Sequence, residues 1–134
     1  MPGYSGTPLA KKLGIKPGCH VRLVNAPAEY KTWLQPIPEG VRFESRLTPS
    51  TDIIHVFSRD RAELLRLLKL YRTPLKPDGT VWVSWPKKSA KVETDIVEGT
   101  IRELALPLGF VDVKVCAVSE IWSGLKLVVR TELR

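Results

Sequence analysis

The chain has 134 residues and a formal charge of +7, from 21 Lys and Arg against 14 Asp and Glu. That length supports one domain, residues 1–134, with a core large enough to fold without disulfide or metal, and the charge favours anionic partners in general. Cys19 and Cys116 lack the C-x-x-C spacing or histidine pair of a zinc site, no apolar run reaches bilayer length, and MPGYSGTPL lacks a signal-peptide profile, so a cytoplasmic protein with no membrane role is expected.

Thr7-Pro8 has the N-cap and first-turn chemistry of a short helix, Pro8 to Leu13, which Gly14 ends. Pro17-Gly18 turns the chain into a strand from His20 to Asn25. Val21 and Leu23 point one way and His20, Arg22 and Val24 the other, which leaves one poorly apolar face. Asn25-Ala26-Pro27 stops that strand, and Ala28 to Leu34 fits a brief helix before the Pro36 and Pro38 loop. Val41 to Arg46 alternates cleanly, as a half-solvated edge strand does, whereas Asp52 to Phe57 is dense in apolar residues and reads as central. Only Leu47 to Thr51 joins the two, a short link for a parallel crossover, which usually takes a dozen residues or more.

From Asp60 the period becomes helical, with an acid-capped start at Asp60 and Glu63 and Leu64, Leu65, Leu68 and Tyr71 on one stripe. Pro74 and Pro77 stop it. Asp78-Gly79 then opens the run Thr80 to Trp85, in which Val81, Trp82, Val83 and Trp85 barely alternate, as in a strand covered on both faces. Pro86 fixes its exit, and Lys87, Lys88 and Ser89 follow. A second helix is predicted from Thr94 or Asp95, with Val97, Ile101, Leu104 and Leu108 on its stripe, and Gly109 releases the chain into strands at Phe110 to Val118 and Leu125 to Arg130, paired as an antiparallel hairpin.

Strands alternating with helices and closed by such a hairpin define a three-layer, Rossmann-like α/β fold. About six strands are expected, mostly parallel, with helices on both faces. Ligands of these sheets collect beyond the carboxyl ends of the strands, which selects Asn25, Ser58, Arg59, Trp85, Lys87, Lys88 and Ser89 as candidate binding residues. Lys87 and Lys88 with Arg59 offer positive charge, Trp85 a flat face, and the helix expected near Asp95 its N–H groups.

The order Asp52-Ile-Ile-His55, helix, Leu75-Lys-Pro-Asp-Gly-Thr80, strand, helix, Leu108-Gly-Phe110, strand and Trp122-Ser-Gly-Leu125 resembles the second half of S-adenosylmethionine-dependent methyltransferases. The resemblance implies a sheet trimmed of one strand and one helix. The whole sequence, with GYSGTPLAKKLG at the front and WVSWPKKS in the middle, is also similar to a bacterial family recorded only as a domain of unknown function, which brings no activity with it. Methyltransferases place glycines after the first strand so that backbone can approach the cofactor, but here the turn is Asn25-Ala26-Pro27-Ala28. Glu44 stands near the family's ribose-binding acid, yet its place on the polar face of an alternating strand reads as a solvated carboxylate.

Other chemistries lack their constellations. His20 and His55 lie in strands without a nucleophile elbow, Cys116 is a lone strand thiol, and Lys88-Ser89 lacks the glycines of a P-loop. No catalytic residue, cofactor or metal is therefore expected. The first expectation is a non-catalytic module binding an anionic small molecule or a protein partner through the Trp85 to Ser89 rim. The alternatives are a reduced methyltransferase or other transferase and, lacking a basic stripe, a nucleic-acid binder stacking bases on Trp85 or Trp122.

Overall fold

The computed structural model describes residues 7–134; the opening MPGYSG, part of the stretch expected to lack a signal peptide, lies outside the described residues. Six strands form one sheet: β1 (His20–Val24), β2 (Arg42–Glu44), β3 (Ile53–Phe57), β4 (Thr80–Pro86), β5 (Phe110–Ala117) and β6 (Trp122–Val129). Their spatial order is β2-β1-β3-β4-β6-β5. The first four are mutually parallel and β6 runs antiparallel to both β4 and β5. Helices α1 (Leu9–Leu13), α2 (Tyr30–Trp33), α3 (Arg61–Arg72) and α4 (Glu98–Ala105) complete the layers.

The apolar density of β3 and β4 follows from this arrangement, because both strands are covered on both faces. On one face Ile54, Val56, Val81 and Val83 pack beneath Leu64, Leu67, Leu68 and Tyr71 of α3 and Ile101, Leu104 and Ala105 of α4. On the other, Ile53, Phe57 and Trp82 pack against Ala10 and Leu13 of α1 and Tyr30 of α2. The Trp82 indole N–H donates to the carbonyl of Leu13 at 3.0 Å, which ties α1 to the middle of the sheet. Asp60 caps α3, its carboxylate accepting the N–H groups of Ala62 and Glu63 at 2.8 and 3.3 Å.

The short link between β2 and β3 is resolved by register. β1 lies between them, and β2 is only three residues long. Glu44 leaves β2 at the level of Arg22 and Ile53 enters β3 at the level of Val21, so the chain has to cross one strand, about 10 Å at ordinary strand spacing, with almost no return along it. No helix is needed for that step.

The helix expected at Ala28 to Leu34 shortens to Tyr30–Trp33 and the strand expected at Val41 to Arg46 to Arg42–Glu44, and three further elements differ from expectation. The second helix begins at Glu98, since the Thr94 hydroxyl donates to the carbonyl of Arg59 and the Asp95 carboxylate accepts the N–H of Arg61, and Val97 is exposed while Ile96 is buried in its stead. β6 starts at Trp122, where it pairs with Pro86. β5 is an edge strand whose register slips between Asp112 and Lys114, so the alternating valines do not all reach the core: Val113 and Val115 are 52% and 45% exposed.

Candidate functional site

The carboxyl ends of β1, β3 and β4 are joined by backbone and side-chain bonds. Asn25 adopts φ 60 and donates from Nδ2 to the carbonyl of Phe57 at 3.3 Å. The buried Ser58 donates its N–H to the carbonyl of Ser84 at 3.0 Å and its hydroxyl to Glu63 at 2.8 Å. The carbonyl of Arg59 accepts from Thr94 Oγ1 at 2.8 Å and from the N–H of Asp95 at 3.2 Å. The Asp95 carboxylate in turn takes the N–H of Arg61 at 2.7 Å.

A rim pocket of ≈ 470 Å³ opens here, lined by Arg59, Asp60, Glu63, Glu93, Thr94 and Asp95. One guanidinium thus stands among four carboxylates, and three of these are already bonded: Asp60 caps α3, Glu63 holds Ser58 and Asp95 holds Arg61. Its walls are built for the start of α3 and do not favour an anion.

The remaining expected residues lie elsewhere. Lys87 donates its N–H to the carbonyl of Ile121 at 2.7 Å, which draws the loop toward the β5–β6 turn and away from Arg59. A single 3-10 turn follows at Lys88–Ala90, with Lys91 at φ 54. Lys88, Ser89 and Lys91 are exposed, and none of the loop's residues lines the pocket at Arg59. Trp85 is 7% exposed and packed in the core under α3 and α4, so the flat face expected of it is turned inward and its use as a stacking platform does not hold.

At the β2 edge, Glu44 is engaged rather than solvated. Its carboxylate accepts the Nδ1–H of His20 at 3.0 Å and the hydroxyl of Thr51 at 3.0 Å, with 19% of the side chain exposed. The His20 hydrogen bond first, and then that of Thr51, holds its carboxyl below the usual carboxylate range. Beside it, burial raises the carboxyl of Asp52, but the His20 N–H and the ammonium of Lys76 outweigh that and hold it low.

One cluster lay outside the sequence reading. His55 and Ser84 are wholly buried and Tyr30 almost so, and the imidazole bridges them, Nδ1 to the phenol oxygen at 2.8 Å and Nε2 to the Ser84 hydroxyl at 2.7 Å. A neutral ring has one N–H and one acceptor; the phenol is the better donor, so it gives its proton to Nδ1 and Nε2–H donates to Ser84. Burial pushes the imidazole pKa down to about 3, so it stays neutral and the triangle is closed to solvent and substrate. Its sequence signal is faint, one histidine and one serine in apolar runs. Among the described residues no group of three His, Cys, Asp or Glu stands together as metal ligands, and no helix is long and apolar enough to cross a membrane.

Sheet order, mixed direction and helices on both faces define a Rossmann-like α/β fold of the kind found in methyltransferases. A candidate type 11 methyltransferase from Sulfolobus solfataricus superposes with a TM-score of 0.65 at 16% identity, over 92% of this chain and 90% of that one. A SAM-dependent methyltransferase from Aquifex aeolicus gives 0.61 at 15% identity, over 91% and 88%, and DhpI, solved as its SAH complex, gives 0.61 at 11%, over 92% and 83%. No protein-family model and no curated protein matches the chain, so its likeness to the bacterial family rests on the quoted residues alone.

The residues present do not fit S-adenosylmethionine. The β1 turn bears side chains and a proline ring from Asn25 to Ala28, with Asn25 bonded across to β3, and Glu44 is spoken for by His20 and Thr51.

Proposed function

We propose that the chain is a methyltransferase-fold module that binds rather than methylates, and that it docks an acidic protein surface on the cationic loop Lys87–Lys91 beyond β4. The observation that carries this reading is the engagement of Glu44, which leaves the ribose-binding position of the fold without a free carboxylate beside a turn without glycine. A protein partner is favoured over a small anion at the rim because the loop's lysines project outside the rim pocket, whose own lining is acidic. Lys87 is anchored through its backbone to Ile121, so the loop presents its ammonium groups from a fixed support and less ordering entropy is lost on docking. Calorimetry with S-adenosylmethionine and with a glutamate-rich peptide tests both halves. The expected result is no saturable heat with the cofactor, and peptide binding that weakens about tenfold or more when Lys87, Lys88 and Lys91 are replaced by Ala, since charge-assisted bonds contribute about 1.5–3 kcal/mol each. Micromolar affinity for S-adenosylmethionine would return the chain to the reduced methyltransferase, and an unchanged peptide affinity would remove the loop from the reading.

A further inference from the structure

The face of the sheet that carries α1 has an electrostatic arrangement that the rim does not use. In the antiparallel pair of β5 and β6, Lys114 stands directly opposite Lys126, and Cys116 opposite Gly124. Directly opposed residues share a face at close separation, where like charges repel. Neither lysine forms an ion pair with a described residue. α1 adds Lys11 and Lys12 alongside: a cleft of ≈ 590 Å³ between α1 and β5 is lined by Thr7, Lys11, Lys12, Lys114, Val115, Cys116 and Ala117, with no carboxylate among the described residues of its wall. Past the end of α1, Lys126 joins Lys16 and Lys76 in a neighbouring pocket of ≈ 420 Å³, where Asp52 is already paired with Lys76 and Asp78 is the other acid.

Lysines on an edge strand discourage pairing with another sheet, and Lys11 and Lys12 suit the end of α1. Neither role asks for a second lysine on β6 directly across from Lys114. A multiply charged anion between α1 and the hairpin relieves that repulsion, and the cleft has the volume of a small-molecule site, with Cys116 on the same face of β5 as Lys114.

We propose that the cleft between α1 and β5, with Lys11 and Lys114 as its cationic walls and Lys126 across the hairpin, binds the phosphate group of a small phosphorylated molecule. It is a second site, apart from the loop Lys87–Lys91. The probes are inorganic pyrophosphate and glycerol 3-phosphate, followed by calorimetry and by amide shifts of Val115 to Ala117. Saturable binding is expected, weakened tenfold or more by Lys114→Ala and by Lys126→Ala separately, and unchanged by the Lys87→Ala, Lys88→Ala double substitution. Binding of pyrophosphate alone assigns a free polyphosphate, and binding of both probes a phosphate ester. Lys114→Gln carries a second readout. It relieves the opposed pair, so its Tm without ligand should lie at or above the parent's, while the Tm rise that pyrophosphate gives the parent should vanish. The proposal is overturned by the absence of saturable binding, by loss of binding only in the Lys87, Lys88 variant, or by a single-stranded oligonucleotide that binds this face with steep salt dependence while pyrophosphate fails to compete.

Discussion

The neutral imidazole in the core makes stability depend on pH in a window that other groups leave almost clear. His55 has a folded pKa of about 3, and an unfolded histidine titrates near 6.5, so between those values the unfolded chain holds a proton that the native chain lacks. Stability conferred by the neutral ring is therefore fully present above about pH 6.5 and falls as the pH is lowered toward 3. At 1.36 kcal/mol per pH unit, going from pH 6.5 to 5.0 removes at most about 2 kcal/mol, a large part of an ordinary domain's 5–15 kcal/mol. Glu44, Asp52 and Asp112 also have lowered pKa values, but the stability they add is lost mainly below about pH 4.5, where unfolded carboxyls begin to protonate. Urea unfolding at pH 7.0, 6.0 and 5.0 measures the slope, and His55→Gln, whose amide can accept from Tyr30 and donate to Ser84, is the control. The parent should lose stability across that range and the variant much less. Equal slopes in the two proteins would refute the assignment.

Asp60→Ala removes the side-chain acceptor at the start of α3 and is expected to lower stability by about 1 kcal/mol in urea unfolding, whereas Asp60→Asn should recover most of it. Trp82→Phe deletes the indole N–H that reaches Leu13 and leaves that buried carbonyl without its partner, for a loss of about 1–3 kcal/mol, with hydrogen exchange at Leu13 and Gly14 rising more than at Val56.

What the sequence revealed depended on how local the cause was. The runs at Ile53 to Phe57 and at Val81 to Trp85 announce central strands because burial on both faces leaves no room for alternation, and both are central. Asp60 declares a cap because its partners lie two and three residues ahead. The start of α4 differs for the opposite reason: Asp95 has a capping side chain, but its carboxylate takes the N–H of Arg61, more than thirty residues away, and the Thr94 hydroxyl, though it accepts the nearby N–H of Ile96, donates to the equally distant carbonyl of Arg59. At the rim, Pro86 shows that the strand stops, yet the direction of the next residues is set by the carbonyl of Ile121, and Trp85 gives no sign of which helices cover it. Tyr30, His55 and Ser84 come from α2, β3 and β4, and their union exists only once those elements are packed.

The bond between Trp82 and Leu13 has a mechanical consequence. A five-residue helix lies well below the length at which a helix holds itself together in water, so α1 keeps its shape on loan from the strand that anchors it. The wall of the lysine cleft that carries Lys11 and Lys12 is in effect an outrigger of β4, while the opposite wall belongs to the hairpin. Force or heat that loosens the indole should spread the two walls apart before the sheet itself parts. Exchange of the Lys12 and Gly14 amides, both bonded within α1, would then report the opening of the cleft as a step separate from global unfolding.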